Sequence, residues 1–375
     1  MSIPKLELAS IHNSYVIIAV IFEIRDDRVK DILIIKIGAL GDLSFALPAA
    51  KALKESLQCH VTWVVGKSCQ AFLAGHPHID RLVIVDDKKL YSKNLLVRAG
   101  ELAKLYFNLR QRYDSVLIMH RDPIYYQAFR ALSRDTVLQM VREKKENAPH
   151  QIYTAPLSTH ESVAIKNFTT AVVRHYAPQI SSITWEWDYS HIHPAGINLP
   201  EHYAVLHLGG GSNTKTEFRL KCWPHWNEFI FKLLDQTNLN LVFVGAPSEE
   251  SEYLKIQEKI QQRFPEKIKR CLNLIGKTNL PGLVDVIRRC DFFVGVDSGP
   301  LHIADSMDKK AIGLFGPTSA ISWGLLSKNS KTLNHVVPCS PCYQDDGVFP
   351  ECHFQHQCMK LLDSERVLDV VKSFI

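Results

Sequence analysis

The sequence predicts an α/β fold built as two parallel-sheet halves. Three observations predict it. Apolar, β-favouring runs alternate with amphipathic runs from residue 31 to about 119, and the alternation restarts at residue 203. Two strands far apart in the chain end in a short Gly- and Asp-bearing turn that leads straight into a helix. The stretch between the halves, roughly 142–200, keeps no sustained period over most of its length.

The elements follow in order. Residues 31–36 are a strand: Ile32, Leu33, Ile34 and Ile35 form the unbroken apolar run that a strand buried on both faces needs. The strand ends in Ile37-Gly38-Ala39-Leu40-Gly41-Asp42. A helix follows, with Leu43, Ala46, Leu47, Ala50, Leu53 and Leu57 at three-to-four spacing. Pro48 lies early in that helix, where its missing N–H is tolerated. Further strands are expected at 61–65, 81–85 and 115–119, with helices at 68–74 and 95–112. Residues 164–176 read as helical, and the halves join near 188–202. The second half should carry strands at 203–208, 240–244, 292–296 and 311–315. Its helices are expected at 226–236, 249–264, 280–290 and 364–374. The division is an N-terminal domain at 1–187, with 1–30 an extra element, a C-terminal domain at 200–360 and a terminal helix at 361–375.

At 375 residues the chain has room for two domains with ample core. Its 46% hydrophobic and 22% charged content is that of a globular protein. A net charge of +5 suits an anionic substrate or membrane surface and is too dispersed for nucleic acid. The longest apolar run, 15–22, is too short to span a bilayer, and no small-residue cleavage site follows it. An intracellular protein is the default expectation. No Ser-His-Asp order, HExxH motif or paired catalytic carboxylates occur, so neither hydrolase nor redox chemistry is expected.

Five segments carry candidate chemistry. In Val294-Gly-Val-Asp297-Ser298-Gly299-Pro300-Leu301-His302 a buried strand turns into a helix, with Ser298 as N-cap and Pro300 in the first turn. Free N–H groups at such a helix start favour a phosphate, and Asp297 beside them suits a sugar hydroxyl. The turn ending at Asp42 has two readings of equal weight: a tight turn capped by Asp42, or a general base at a cleft. In Gly209-Gly-Gly-Ser212, glycines let backbone approach a ligand, and downstream Lys221, beside Trp223-Pro224, is the favoured cation for a diphosphate. Glu249, after Val244-Gly-Ala-Pro, fits a ribose contact but is more simply a helix N-terminal acid. Cys339, Cys342, Cys352 and Cys358 are spaced C-x2-C-x9-C-x5-C. This favours a structural four-cysteine site for zinc or iron; disulfides and loose thiols are the alternatives.

Together these motifs resemble glycosyltransferase family 9, the ADP-heptose-dependent heptosyltransferases of the lipopolysaccharide inner core. The carrying residues are Ile34-Ile-Lys-Ile-Gly-Ala-Leu-Gly41-Asp42, Trp223-Pro-His-Trp226, Val244-Gly-Ala-Pro, Val296-Asp297-Ser-Gly-Pro-Leu-His302 and Gly313-Leu-Phe-Gly-Pro-Thr318. The resemblance implies a GT-B fold: two Rossmann-like domains facing across a cleft, acceptor on the first and nucleotide sugar on the second. It further implies that the terminal helix crosses back to the first domain. It implies an inverting transfer without a catalytic cofactor. Asp42 matches the base, Lys221 the cation at the leaving diphosphate and Asp297 the carboxylate that orients the donor sugar. Ser298, Gly299, Pro300 and Leu301 match the phosphate turn, with His302 beside it; Glu249 matches the ribose contact, and Ser212 lies in the donor loop. The implied partners are an ADP-sugar and a lipopolysaccharide-type acceptor, with peripheral contact at the cytoplasmic face of the inner membrane. Some members with such cysteine clusters modify autotransporter proteins, so a protein acceptor is one alternative. A non-catalytic nucleotide-sugar-binding scaffold is the other.

Overall fold

Two six-stranded sheets organise the chain. The structure is a computed structural model that describes residues 31–109, 111–141, 152–154, 159–210, 219–343 and 349–375. The extra element expected at 1–30 and the donor-loop residue Ser212 lie outside the described residues. The first sheet holds β1 (Asp31–Ile35), β2 (His60–Gly66), β3 (Arg81–Val85), β4 (Tyr113–Ile118), β5 (Ser133–Val141) and β6 (Ile152–Thr154). The second holds β7 (Tyr203–His207), β8 (Asn240–Val244), β9 (Cys271–Asn273), β10 (Phe292–Val296), β11 (Lys310–Phe315) and β12 (Lys331–Asn334).

The strand orders are β3-β2-β1-β4-β5-β6 and β12-β11-β10-β7-β8-β9. All these pairings are parallel. Renumbered from its own first strand, the second sheet places its fourth strand beside its first, as the first sheet does, in the manner of doubly wound folds. In each sheet the chain reverses direction of growth between the first strand and the fourth. Those switch points lie at β1/β4 and β7/β10, and the crevice beyond the carboxyl ends of such strands is where ligands bind. The buried apolar runs of β1, β7 and β10 produce this arrangement, because helices cover both faces of each sheet.

Several elements differ from the sequence expectation. The helix after β1 is two helices, Leu40–Ala46 and Pro48–Leu57, because Pro48 opens a new helix instead of continuing the old one. β5 has no counterpart in the expectation. It buries Thr136 and Gln139 among its apolar residues, so it lacks the hydrophobic signature of its neighbours. Gln139 is satisfied by donating to the carbonyls of His120 and Asp122, both at 2.8 Å. The short strands β6, β9 and β12 are too brief to carry a period. The terminal helix Ser364–Lys372 does not cross to the first half. It packs on the helix Trp226–Gln236, and Lys232 bonds Ser364 at 3.0 Å.

The two halves touch directly. One apolar cluster joins Leu43 and Phe45 of the first half to Leu301, Ile303 and Ala304 of the second. The linker between the halves is fastened at both ends. Trp187 donates to Ser44 O at 2.7 Å, and Arg288 donates to Tyr189 O at 3.0 Å and Ile192 O at 2.8 Å. Among the described residues no helix is long and apolar enough to cross a membrane.

Candidate active site at the junction of the two halves

The site begins with the end of β1. Trp63 is fully buried and donates from Nε1 to Lys36 O at 3.0 Å, which fixes the backbone just beyond β1. The next turn delivers Asp42 into the first turn of Leu40–Ala46, where a carboxylate is favoured by the helix dipole. Asp42 Oδ2 accepts from Ala39 N at 3.0 Å, and Oδ1 lies 3.3 Å from the buried Lys36 Nζ. Lys36 also donates to Met119 O at 3.1 Å, across the switch point. The Asp42 side chain remains 37% exposed, so the carboxylate faces the cleft. Burial alone would raise its pKa, but the Lys36 charge, the Ala39 N–H and Arg121 outweigh it and hold the group below its usual range.

Lys36 and His120 complete this half of the site, and the sequence reading does not single them out. His120 follows β4 and accepts from Ile37 N at 2.8 Å through Nε2, which leaves its proton on Nδ1. Burial, reinforced by the Lys36 charge, pushes its pKa down to about 3, so it is neutral. A lysine closing a buried strand immediately before a Gly-rich turn is the signal available for Lys36.

The second half supplies a buried charge cluster at the end of β10. Lys221 Nζ lies 3.0 Å from Asp297 Oδ2 and 3.2 Å from Asp297 O. The His302 imidazole donates from Nε2 to Asp297 Oδ1 at 2.9 Å. Both carboxylate oxygens of Asp297 are therefore engaged. Burial opposes the charge, yet Lys221 and His302 hold the Asp297 carboxyl far below the ordinary carboxylate range. His302 Nδ1 is buried and has no partner among the described residues.

A second chain of contacts runs behind that cluster. Ser298 stands at the N-cap of Gly299–Ser306, but its hydroxyl does not cap the helix. It donates instead to His207 Nδ1 at 2.9 Å, while His207 Nε2 donates to Glu249 Oε2 at 3.3 Å. Glu249 Oε2 also accepts from Ala246 N at 2.8 Å. A Cβ on Gly209 would sit 1.8 Å from Glu249 Oε1, so only glycine lets the carboxylate lie against the loop after β7. Sequence reasoning misses His207, although a His closing a buried strand before a glycine loop is visible. Pro300 and Leu301 are buried in the first turn of the helix and serve packing through their side chains.

The two clusters are brought together by glycines. A Cβ on Gly299 would lie 2.9 Å from Leu40 Cβ and 3.0 Å from Gly41 N. A Cβ on Gly41 would lie 3.0 Å from His302 Cδ2. The Asp42 helix and the helix after Asp297 thus meet start to start, with the Phe45 ring 4.5 Å from that of His302. His160 of the first half adds a bond from Nε2 to Gly324 O at 2.7 Å.

The cysteine loop borders the donor side. Cys342 N and Tyr343 N donate to Pro317 O at 2.8 and 2.9 Å, and Lys221 Nζ lies 5.8 Å from the Tyr343 ring centroid. Cys339, Cys342, Cys352 and Cys358 are free thiols close enough to influence one another. Burial first, and neighbouring cysteines second, push the Cys358 thiol up to about 11. Among the described residues no three His, Cys, Asp or Glu side chains are arranged to hold a metal ion, so the expected four-sulfur ligand set is not assembled.

Comparison with known proteins agrees with this geometry. The sequence profile of Glycosyltransferase family 9 (heptosyltransferase) matches residues 175–353. The chain is 24% identical over 358 residues to lipooligosaccharide heptosyltransferase 2 of Campylobacter jejuni, covering 89% of this chain and 95% of that one. Its fold is similar to that of E. coli ADP-heptose lipopolysaccharide heptosyltransferase II (TM-score 0.68, 18% identity, 92% and 98% of the two chains). It is also similar to the iron-containing dodecameric glycosyltransferase TibC of enterotoxigenic E. coli (TM-score 0.56, 14% identity, 92% and 76% covered). With two Rossmann-like sheets in the GT-B arrangement and this match across its second half, the chain carries the glycosyltransferase family 9 domain over residues 175–353 and is similar along most of its length to heptosyltransferases.

Proposed function

We propose that the protein transfers heptose from ADP-heptose to a hydroxyl of the lipopolysaccharide core, with inversion at the transferred carbon. The observation that carries this is the meeting of the Asp42 helix with the Asp297 helix through Gly41 and Gly299. It brings the ionised, cleft-facing Asp42 carboxylate to a junction whose other side holds His302, Asp297 and the buried Lys221. The names of the relatives, which are lipooligosaccharide and lipopolysaccharide enzymes, favour a glycan over a protein acceptor.

The chemistry follows from the charges. Asp42 takes the proton of the acceptor hydroxyl as that oxygen attacks the anomeric carbon of the donor. The carbon–oxygen bond to the diphosphate breaks, and ADP leaves with the bonding electrons. Lys221 and the amides at the start of Gly299–Ser306 meet the charge that develops there. Asp297 holds Lys221 and His302 in place, and its remaining lone pairs suit a donor hydroxyl. The unpaired His302 Nδ1 supports a ligand at this point, since a buried nitrogen without a partner is costly. Glu249, held by His207, contacts the ribose. No step requires a metal or a covalent intermediate.

We further propose a structural role for the cysteine loop, with Cys339, Cys342, Cys352 and Cys358 holding zinc or iron. Four free thiols within one short segment, two of them in a C-x2-C pair, are the donor chemistry such ions take, and the fold neighbour TibC is iron-containing. Metal analysis of the purified protein tests it: less than one equivalent in wild type, or no loss on Cys342→Ser, would remove it. The setting we propose is the cytoplasmic side of the inner membrane.

Titration calorimetry tests the donor assignment. ADP-heptose should bind wild type and Asp42→Asn alike, and Lys221→Ala at least tenfold more weakly. Binding of UDP-N-acetylglucosamine in place of the ADP-sugar would overturn it.

A further inference from the structure

The helix Leu95–Asn108 presents an apolar end to the outside. It buries Glu101 and Leu105 against the first half, while Leu95 is 73% and Leu96 84% exposed. Val97 is exposed as well. At 100° per residue, three consecutive side chains fan around more than half of the helix. A flat partner covers one helix face; an apolar end open on several sides suits a medium that surrounds it. Residues 88–98 contain four cations (Lys88, Lys89, Lys93 and Arg98) and no acid. Of the acids just before them, Asp86 accepts from Lys89 N at 3.2 Å and pairs with Lys89 Nζ at 3.8 Å, and Asp87 accepts from Ser68 N at 3.1 Å, so Lys88, Lys93 and Arg98 are the cations not drawn to these two acids.

The position of this end matters as much as its composition. It follows β3, so it lies on the same edge of the parallel sheet as Asp42 after β1 and His120 after β4. A short relay connects them. The Tyr125 ring stacks on His120 at 4.5 Å, and its hydroxyl donates to Tyr91 OH at 3.1 Å. Tyr91 is 41% exposed and stands four residues before Leu95. The apolar end therefore borders the acceptor side of the cleft.

We propose that Leu95, Leu96 and Val97, with Lys88 and Lys93 close by in the chain, dock on an anionic phospholipid surface and set Asp42 at the height of a lipid-borne acceptor. Apolar side chains enter the headgroup boundary while the lysines meet lipid phosphates. The proposal rests on the preceding function only in taking the acceptor as lipid-borne; vesicle binding needs no transfer.

Sedimentation of the full chain with phosphatidylethanolamine–phosphatidylglycerol vesicles is the test. Wild type should co-sediment, less so in high salt and little with pure phosphatidylcholine. L95E/L96E should lose binding tenfold or more, and K88E/K93E should lose it in part. On a water-soluble delipidated acceptor both variants should turn over as wild type does, while a vesicle-embedded acceptor is used more slowly. Wild type that does not sediment, or variants that sediment equally, overturns the proposal. A fall in thermal midpoint in L95E/L96E would show that the chain covers these residues itself, and also overturns it. So does a wild-type dimer that the variant dissociates without any vesicle binding. Vesicle binding of the predicted pattern without heptosyl transfer would defeat the proposed function and leave the docking surface standing.

Discussion

Asp42 owes its charge to Lys36, whose ammonium is buried 3.3 Å away and anchored to Met119 O. Asp42→Asn should lower kcat by about 10²–10⁴, the usual range for a general base, with donor affinity unchanged. Lys36→Met removes the charge that lowers the Asp42 pKa. The acidic limb of kcat/KM should therefore move to higher pH, and an unmoved limb would assign that limb to another group. Stability has its own pH dependence. The depressed Asp297 carboxyl stabilises fully above the unfolded carboxylate pKa of about 3.9, and this stabilisation is lost as pH falls below it. His76 and His120, whose pKa values burial lowers to about 3, act earlier. The unfolded chain binds their protons below about pH 6.5, so the thermal midpoint should decline from there downward. A flat midpoint between about pH 6.5 and 4 would contradict the burial of these rings. Lys221→Ala leaves Asp297 buried without its main cation and should cost about 3–5 kcal/mol in denaturant unfolding.

At the scale of elements, the contact of two helix starts decides whether the base meets the donor. Gly41→Ala, on the first-half side of the junction, forces a methyl against the His302 ring and the Gly299 backbone and pushes the helices apart. We expect kcat to fall well over tenfold while ADP-sugar binding, which belongs to the second half, changes little. Equal losses in binding and turnover would place the disturbance in the donor site instead. The strands beneath Asp42 and Asp297 are legible because each is an unbroken apolar run ending at a turn. β5 is not, since Thr136 and Gln139 satisfy their polarity through His175 and two carbonyls that no local pattern foretells. Ser298 is legible as a helix start, but its hydroxyl turns to His207, a residue 91 positions away. Glu249 reads as an ordinary helix-start acid until Gly209 and Gly245 are seen to lie against its carboxylate.

Across the whole molecule, alternation of strand and helix predicts two parallel sheets, and both are present. The shared strand arrangement is not readable, because parallel pairing is non-local and leaves no mark on adjacent residues. For the same reason the sequence shows two aspartates in separate halves but not the glycine contact that joins them. The terminal helix is expected on the first half from resemblance; its buried face of Val367, Leu368 and Val371 packs with Phe229 and Leu233 of the second. The most direct measurement is heptose incorporation by mass spectrometry, with ADP-heptose and a heptose-deficient lipopolysaccharide core, for wild type beside Asp42→Asn. Wild type should add one heptose per acceptor with release of ADP, and the variant should add almost none. No addition by wild type, or equal addition by both proteins, would contradict a heptosyl transfer in which Asp42 is the base.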